Sequence, residues 1–324
     1  EKLLQKSLSR KLTLITAPSG YGKTTCLAAF IGGTAEMAAR TVWLTLDEYD
    51  NAPDQFWTYI VTGVRKINPQ FRLNHQALLQ YGLEPARNAL LNPLINRLAD
   101  LSRPIYLVLD DFHAIQNPVI LQNLKYLVEY QPENLHLYLL SRTPPALPLA
   151  RERSQRQVLE ITRAELAFTP AEANRFLLQT MKLDLSPRQV TDLHTLTEGW
   201  IAGLQLACLS LEAEAGPAAL ATVSILDETQ MAAYFTEEVL AHLPAGLREF
   251  LLDTSVLPEF SAVLCDAVRQ RQDSQEMLAQ VEQANLFIAP LDDGREWFRY
   301  HALFAQALEY QLQRSHPERA LELH

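Results

Sequence analysis

The sequence is poor in cysteine, and it contains no long apolar run. Only three cysteines occur among 324 residues, Cys26, Cys208 and Cys265, and none stands at a spacing typical of metal ligands. We therefore expect three buried thiols in a reducing cytosol, without chemistry of their own. Apolar runs such as 105–109 are much shorter than the roughly 20 residues that cross a bilayer. No membrane partner is predicted, and a cytoplasmic location is expected.

An excess of positive charge is also missing. The formal net charge is −10, whereas a nucleic-acid clamp needs a clustered basic surface. Any DNA contact is therefore expected to come from a region outside this chain. The chain begins at Glu1 without an initiator methionine or a signal-peptide pattern and stops at His324 within a helical pattern. We interpret it as a fragment of a longer protein.

Strand and helix patterns alternate through the first 165 residues. β-rich runs predict strands at 12–16, 42–46, 105–109, 135–140 and 157–161, and helices are predicted at 23–31, from Pro53, near 86–101 and near 118–130. The run 105–109 is apolar without polar alternation, as in a strand that is buried on both faces. The alternation predicts an α/β domain with a parallel sheet and helices on both faces.

Helical patterns dominate the rest of the chain. Thr169 and Glu172, with Pro170 between them, form a capping-box pattern. Amphipathic helices are predicted near 170–181, 186–196, 200–212, 217–225, 229–242 and 301–313. The β-rich runs 286–289 and 297–300 flank an Asp-Asp-Gly turn at 292–294, which predicts a hairpin. Helices followed by a hairpin indicate a winged helix.

The segment from residue 17 to residue 25 carries the strongest functional signal. Ala-Pro-Ser-Gly-Tyr-Gly-Lys-Thr at 17–24 matches the phosphate-binding pattern G-x-x-x-x-G-K-[ST], except that alanine replaces the first glycine. A chance glycine-rich turn is the alternative, but the segment lies between a predicted strand and a predicted helix, as this motif requires. The candidate ATP-binding residues here are Ala17, Pro18, Ser19, Gly20, Tyr21, Gly22, Lys23, Thr24 and Thr25.

The chemistry of this loop follows from its residue types. Backbone N–H groups and the helix dipole favour a phosphate anion, and Lys23 adds positive charge for the β- and γ-phosphates. The hydroxyl of Thr24 would complete the coordination of Mg²⁺. Packing within the helix explains Thr25 better than ligand binding does.

Acidic and basic residues follow two other predicted strands. Asp110 and Asp111 end an apolar strand, as in the second motif of nucleotide-binding proteins. Asp110 would hold Mg²⁺, directly or through water, and Asp111 would orient or deprotonate the attacking water. Arg142 follows the strand 135–140, where ligands of doubly wound sheets bind, and would contact the γ-phosphate. A surface ion pair is an equally good explanation of Arg142.

Several segments together resemble the MalT-like, LuxR-type transcriptional activators, which belong to the STAND class of signal-transducing P-loop ATPases. The resemblance rests on Ala-Pro-Ser-Gly-Tyr-Gly-Lys-Thr-Thr at 17–25, Trp-Leu-Thr-Leu-Asp-Glu-Tyr-Asp-Asn at 43–51 and Leu-Val-Leu-Asp-Asp-Phe-His at 107–113. It continues at 141–145, 166–173, 197–207 and 298–304. It therefore covers nearly the whole chain.

The resemblance implies a fold and further site residues. The expected fold is an α/β P-loop NTPase domain at 1–165, with a parallel five-stranded sheet in the order 5-1-4-3-2. A helical domain at 166–228, a winged-helix domain at 229–314 and the start of a helical repeat region at 315–324 are expected to follow. In this class a winged-helix histidine touches the β-phosphate of ADP, and His301 matches it. Gly203 matches a glycine that lines the nucleotide, although Gln205 stands where the family has proline.

The resemblance also implies a function. The chain would be a switch that holds ADP when closed, binds ATP together with inducer when open and self-associating, and resets by slow hydrolysis. Its cofactors would be ATP or ADP and Mg²⁺. A small-molecule or protein inducer would bind a downstream sensor domain, and DNA would bind a helix-turn-helix outside this chain. Two alternatives stay open, an immunity-type STAND receptor with another effector and a P-loop turnover ATPase.

Overall fold

The computed structural model describes residues 2–71, 73, 91–213, 228–292 and 294–323. Their contacts divide the chain into two compact units. The first comprises Glu1–Ala17 and Lys23–Glu165, and the second comprises Pro18–Gly22 and Leu166–His324. The segment Pro18–Gly22 thus belongs by its contacts to the second unit, although it interrupts the sequence of the first.

The first unit is built on a parallel sheet of five strands. These are β1 (Leu12–Thr16), β2 (Thr41–Thr45), β3 (Ile105–Asp110), β4 (Leu135–Ser141) and β5 (Val158–Thr162). The order is β2-β3-β4-β1-β5, and every pairing is parallel. This order confirms the predicted 5-1-4-3-2, read from the opposite edge. Each strand lies within one residue of its predicted position, because each is marked by a compact apolar or β-branched run.

Helices cover both faces of this sheet. They are α1 (Lys2–Gln5), α2 (Lys23–Gly32), α3 (Ala35–Ala39), α4 (Pro53–Ile67), α5 (Asn92–Ala99), α6 (Pro118–Glu129), α7 (Ala150–Ser154) and α8 (Arg163–Leu166). Leu107 and Leu137 belong to a core cluster that also contains buried residues of α4, α5 and α6. Tyr138 points to the other face, where its hydroxyl lies 2.8 Å from the hydroxyl of Ser7, in the turn after α1.

The acidic run after β2 is a local turn. The side chain of Asp47 accepts a hydrogen bond from the backbone N–H of Tyr49 at 2.8 Å, and Asp50 accepts one from the N–H of Asp47 at 2.9 Å. These bonds stabilise a 3₁₀ turn at Glu48–Asn51 before α4 begins at Pro53. The carboxylates of Asp47 and Asp50 therefore cap this turn. The predicted helix at 86–101 is found as α5, and its part at 86–90 lies outside the described residues.

The second unit is mainly helical. Its helices are α9 (Pro170–Arg175), α10 (Pro187–Thr197), α11 (Ile201–Ala213), α12 (Glu228–Glu238), α13 (Ala245–Thr254), α14 (Ala262–Arg269), α15 (Ser274–Gln283), α16 (Ala302–Ser315) and α17 (Pro317–Leu323). The capping box at Thr169 is present, because its N–H donates to Glu172 Oε2 at 2.9 Å and its Oγ1 accepts from the N–H of Glu172 at 3.3 Å. The predicted helix at 217–225 lies outside the described residues, and the predicted domain boundaries stay predictions.

A short antiparallel hairpin precedes α16. Strand β6 (Ile288–Pro290) pairs with β7 (Phe298–Tyr300), which confirms the predicted hairpin. The first strand begins two residues later than expected because Phe287 has a φ of +25°, which is incompatible with an extended strand. In the turn, the side chain of Asp292 accepts the backbone N–H of Trp297 at 2.9 Å. Asp293 lies outside the described residues.

The described part of the chain contains neither a membrane-spanning helix nor a cluster of several metal-ligating side chains. Among the described residues, no helix has the length and apolar character needed to cross a membrane. No group of three or more histidine, cysteine, aspartate or glutamate residues in that same part could hold a metal ion. Cys208 and Cys265 are buried as expected, whereas Cys26 is half-buried on α2.

The packing of α4 against β2 gives a stability prediction. Gly63 lies on α4, and a Cβ added there would lie 2.3 Å from Cγ1 of Val42. Gly63→Ala should therefore destabilise the protein by about 1–3 kcal/mol through overpacking, although alanine favours an exposed helix by about 1 kcal/mol. Gly246→Ala, at a helical glycine with no atom within 4 Å of its added Cβ, is the control and should not destabilise. Urea unfolding measures both, and a stabilised Gly63→Ala would contradict the close packing of α4 on Val42.

Candidate functional site

The candidate phosphate loop connects β1 to α2. Gly20 and Gly22 have φ angles of +78° and +72°, a region that glycine enters without steric cost. Such a backbone can turn successive N–H groups toward one anion, which is the arrangement that binds phosphate. The structure therefore gives the loop both the location and the backbone conformation that the sequence motif requires.

Lys23 is the first residue of α2 and is almost completely buried. Its side chain is 8% exposed, and its Nζ donates a hydrogen bond to the carbonyl oxygen of Ala17 at 2.8 Å. Burial, assisted by the positive charge of Arg142, lowers the pKa of Lys23 to about 8, although Asp111 and Asp110 act in the opposite direction. A buried ammonium with a lowered pKa gains from a nearby anion, so its environment fits a phosphate ligand.

Thr24 and Asp110 form the pair that the sequence assigns to a metal ion. The hydroxyl of Thr24 donates to Asp110 Oδ2 at 2.9 Å, and the N–H of Asp111 donates to Asp110 Oδ1 at 3.0 Å. Burial raises the pKa of Asp110, although its hydrogen bond with Thr24 opposes that shift. A hydroxyl beside a desolvated carboxylate offers two hard oxygen donors, which suits Mg²⁺. Phosphate oxygens and water would have to supply its other ligands.

Asp111 has an unusual backbone conformation. Its φ is +53° and its ψ is +37°, in the left-handed region that non-glycine residues seldom adopt. This conformation is associated with functional sites when the surroundings enforce it. The Asp111 carboxylate is 42% exposed, and its Oδ1 lies 3.8 Å from Nδ1 of His113. Asp111 therefore presents an acceptor to water, and His113 is a neighbour to which the sequence motifs assigned no role.

Arg142 lies directly after β4, at the carboxyl edge of the sheet. Ser141, the last residue of β4, is paired with Thr16 at the end of β1. Arg142 is half-buried, and its charge adds to the effect of burial in lowering the pKa of Lys23. The first unit therefore brings Lys23, Asp110, Asp111 and Arg142 together at this edge, as parallel strands with a common direction dictate.

The loop residues that belong to the second unit have their own partners. The indole Nε1 of Trp200 donates a hydrogen bond to the carbonyl oxygen of Ser19 at 3.0 Å. The backbone N–H of Ala202 donates one to the carbonyl oxygen of Gly20 at 3.1 Å. The hydroxyl of Tyr234 donates to Ser19 Oγ at 3.2 Å. No sequence signal predicts these contacts, beyond the position of Trp200 in the family-like segment 197–207.

His301 and Gly203 are buried in the second unit. His301 lies immediately before α16, is 4% exposed, and has its Nε2 2.9 Å from the carbonyl oxygen of Thr197. A Cβ added to Gly203 would lie 2.6 Å from the Trp200 ring and 3.1 Å from Leu303, so close packing requires glycine there. The roles of both residues toward a nucleotide stay predictions. Thr25 is exposed on α2, and Pro18 is buried.

Two family models match the chain. Residues 6–143 match an AAA domain, and residues 236–320 match the MalT winged helix domain. The first match includes the phosphate loop, Asp110 and Asp111. The second includes the hairpin, His301 and α16.

Curated relatives and a solved structure agree with these matches. The chain is 36% identical over 328 residues to the HTH-type transcriptional regulator MalT of Serratia proteamaculans (strain 568) and 35% identical over 332 residues to that of Klebsiella pneumoniae (strain 342). Both alignments cover 100% of this chain and 36% of the relative, so the chain spans about a third of their length. The Walker-type ATPase PABY2304 of Pyrococcus abyssi is similar in fold, with a TM-score of 0.62, 13% identity, and coverage of 95% of this chain and 93% of that chain.

The lowered pKa of Lys23 predicts how the affinity for ADP depends on pH. Phosphate favours the protonated ammonium, whose pKa is about 8 without ligand, so the affinity should be nearly constant at lower pH and fall above that value. In metal-free buffer the Kd should rise roughly tenfold or more between pH 7.5 and 9.5. Isothermal titration measures the change, and a Kd that does not vary over this range would contradict it. Lys23→Arg, which keeps its charge throughout, is the control that should show no such rise.

Proposed function

Because this chain belongs to the MalT-like family, with an AAA domain and a MalT winged helix domain, we propose that it is the ATP- and ADP-binding switch module of a transcriptional regulator. One observation carries the proposal beyond nucleotide binding. The middle of the phosphate loop, Pro18–Gly22, belongs by its contacts to the unit that contains the winged helix. A change in the loop on exchange of ADP for ATP would therefore reach that unit directly.

Nucleotide binding is the basis of the switch. The P-loop NTPase fold implies a nucleotide, and the buried ammonium of Lys23 fits its β- and γ-phosphates. Thr24 and Asp110 would hold Mg²⁺, which neutralises phosphate charge when it is bound. Ala17, Pro18, Ser19, Gly20, Tyr21, Gly22 and Thr25 complete the proposed loop contacts.

Slow hydrolysis would reset the switch. Asp111 would accept a hydrogen bond from the attacking water, for which its exposed carboxylate is suited. Arg142 would stabilise charge on the γ-phosphate, since it lies at the same edge of the sheet as Lys23. We propose a rate far below that of ordinary enzymes, because a switch has to hold its ATP state while it signals.

The two nucleotides would favour different states. A ligand shifts a conformational equilibrium only by its difference in affinity for the two states. We propose that ADP favours a closed state, with His301 at its β-phosphate and Gly203 lining the nucleotide. ATP with a small-molecule or protein inducer would favour an open state that self-associates. The curated relatives are named HTH-type regulators, which supports DNA binding through another region over a different effector.

Two substitutions separate binding from hydrolysis. Lys23→Ala should abolish measurable ATP binding, because it removes the buried cation of the loop. Asp111→Asn should keep ATP affinity within about twofold and lose hydrolysis, because asparagine tolerates the left-handed backbone but is a poor base. Isothermal titration and phosphate release measure the two properties, with Lys66→Ala, an exposed lysine on α4, as the control. Unchanged ATP affinity in Lys23→Ala would contradict the loop assignment.

The switch itself can be tested in the full-length protein with its inducer. Small-angle scattering should give a larger mass and radius of gyration with ATP than with ADP, since the two nucleotides stabilise different states. Lys23→Ala should show no difference between them. Identical scattering of the unaltered protein with ATP and ADP would refute the switch, and turnover of about 1–1000 per second would instead indicate an ordinary ATPase.

A further inference from the structure

The outer turn of the phosphate loop is held by its carbonyl groups. Ser19 and Gly20 direct their carbonyl oxygens to the indole N–H of Trp200, at 3.0 Å, and to the N–H of Ala202, at 3.1 Å. A phosphate-binding loop uses its N–H groups for the anion. The two sets of hydrogen bonds therefore do not compete. The carbonyl groups can stay bonded to Trp200 and Ala202 while the N–H groups donate to a ligand.

Side chains reinforce this contact. Ser19 Oγ accepts from the Tyr234 hydroxyl at 3.2 Å and donates to Glu238 Oε2 at 3.4 Å. Tyr21 is 4% exposed, and its ring lies 6.3 Å from that of Phe287. Three successive loop residues are thus anchored within the second unit.

The glycine at position 20 is explained by the same contact. The motif G-x-x-x-x-G-K leaves this position free, yet an added Cβ would lie 2.5 Å from Cβ of Ala202 and 2.7 Å from Nε1 of Trp200. Gly20 also has a φ of +78°. A side chain there would conflict with the approach of residues 200–202 to the loop as well as with the backbone conformation.

The other end of this segment is joined to the hairpin and α16. The carbonyl oxygen of Thr197 lies 2.9 Å from His301 Nε2. The carboxylate of Glu198 accepts two hydrogen bonds from Arg299 of β7, at 2.6 and 3.1 Å. Burial alone would raise the pKa of Glu198, but the bond from Arg299 and the nearby His301 hold that pKa below its usual value. The pair is therefore ionised at neutral pH.

The turn between these two ends is tightly constrained. Glu198 and Gly199 both have positive φ angles, +49° and +73°. Trp200 is completely buried, stacked on Phe235 with ring centroids 5.1 Å apart, and its ring lies 5.9 Å from that of His301. A movement at one end of so compact a segment is transmitted to the other end, because packed interiors deform little.

We propose that residues 197–202 couple the phosphate loop to the winged-helix hairpin, with Trp200 as the positioning residue that holds the loop in its nucleotide-retaining conformation. The inference rests on the proposed nucleotide binding and adds to it the segment that transmits the state of the loop. The winged helix would thereby control how fast ADP leaves, through Glu198 and Arg299 at one end and Trp200 at the other.

Trp200→Phe tests the end that contacts the loop. Phenylalanine keeps an aromatic ring and removes the N–H that binds Ser19, so release of a fluorescent ADP analogue from the full-length protein should accelerate about 2- to 12-fold, the effect of one neutral hydrogen bond. The change in tryptophan emission that ADP produces should also shrink. Trp57→Phe is the matched control, since Trp57 is a buried tryptophan of α4 whose Nε1 has no partner among the described residues. It should leave both readouts unchanged.

Glu198→Gln tests the distant end without touching the loop. It weakens the pair with Arg299 and should also accelerate ADP release, and the double variant with Trp200→Phe should be less than additive if both act through one segment. The control is Glu160→Gln in the first unit. It weakens the ion pair in which Arg153 donates two hydrogen bonds to Glu160. If Trp200→Phe fails to fold, Glu198→Gln alone tests whether residues 197–202 couple the phosphate loop to the hairpin.

The outcomes distinguish this inference from the proposed function. If the unaltered protein bound neither ADP nor ATP, both would be overturned. If it bound ADP and both Trp200→Phe and Glu198→Gln released ADP at the unaltered rate, the coupling alone would be overturned. Faster release in both variants, with unchanged release in both controls, would support it.

Discussion

A loop that binds phosphate through its N–H groups must find other partners for its carbonyl groups, and much of this structure follows from that constraint. At its first residue, the carbonyl oxygen of Ala17 accepts the ammonium of Lys23. At the outer turn, Trp200 and Ala202 donate hydrogen bonds to the carbonyl oxygens of Ser19 and Gly20. A buried carbonyl without a partner costs about 1–3 kcal/mol. Residues far away in the sequence therefore help to hold the backbone of this loop in the conformation that the structure shows.

Charge imposes a second constraint on the carboxyl edge of the sheet. Two cations, Lys23 and Arg142, share this edge with the carboxylates of Asp110 and Asp111, and the charges perturb one another. The edge carries two positive and two negative side chains. Burial nevertheless lowers the pKa of Lys23 and raises the pKa of Asp110, because it disfavours the charged form of each group. An anionic phosphate with a bound cation would relieve both penalties at once. The same burial that disfavours the isolated charges would therefore favour the metal–phosphate pair that we propose for this edge.

The sequence predicted what depends on local pattern. A continuous apolar run marked β3, and a mainly apolar run marked β4, because both strands lie inside a parallel sheet. Thr169 and Glu172 marked a helix start through hydrogen bonds across three residues. The contact of Trp200 with Ser19 could not be predicted, since it joins positions 181 apart and leaves no periodicity in either segment. Whether His301 touches a nucleotide stays a prediction for a related reason. Its burial beside Thr197 is equally compatible with a packing role.

The alanine at position 17 shows why a departure from the motif can be harmless here. The first glycine of a motif matters when its position needs a positive φ or when a Cβ would obstruct the ligand. Ala17 has no positive φ, and it is completely buried at the end of β1, where its N–H donates to the carbonyl oxygen of Ser141 at 3.3 Å. Its methyl group is therefore accommodated in the core, and position 17 acts as an extension of the strand. The loop positions with a positive φ are 20 and 22, and both of them are glycine.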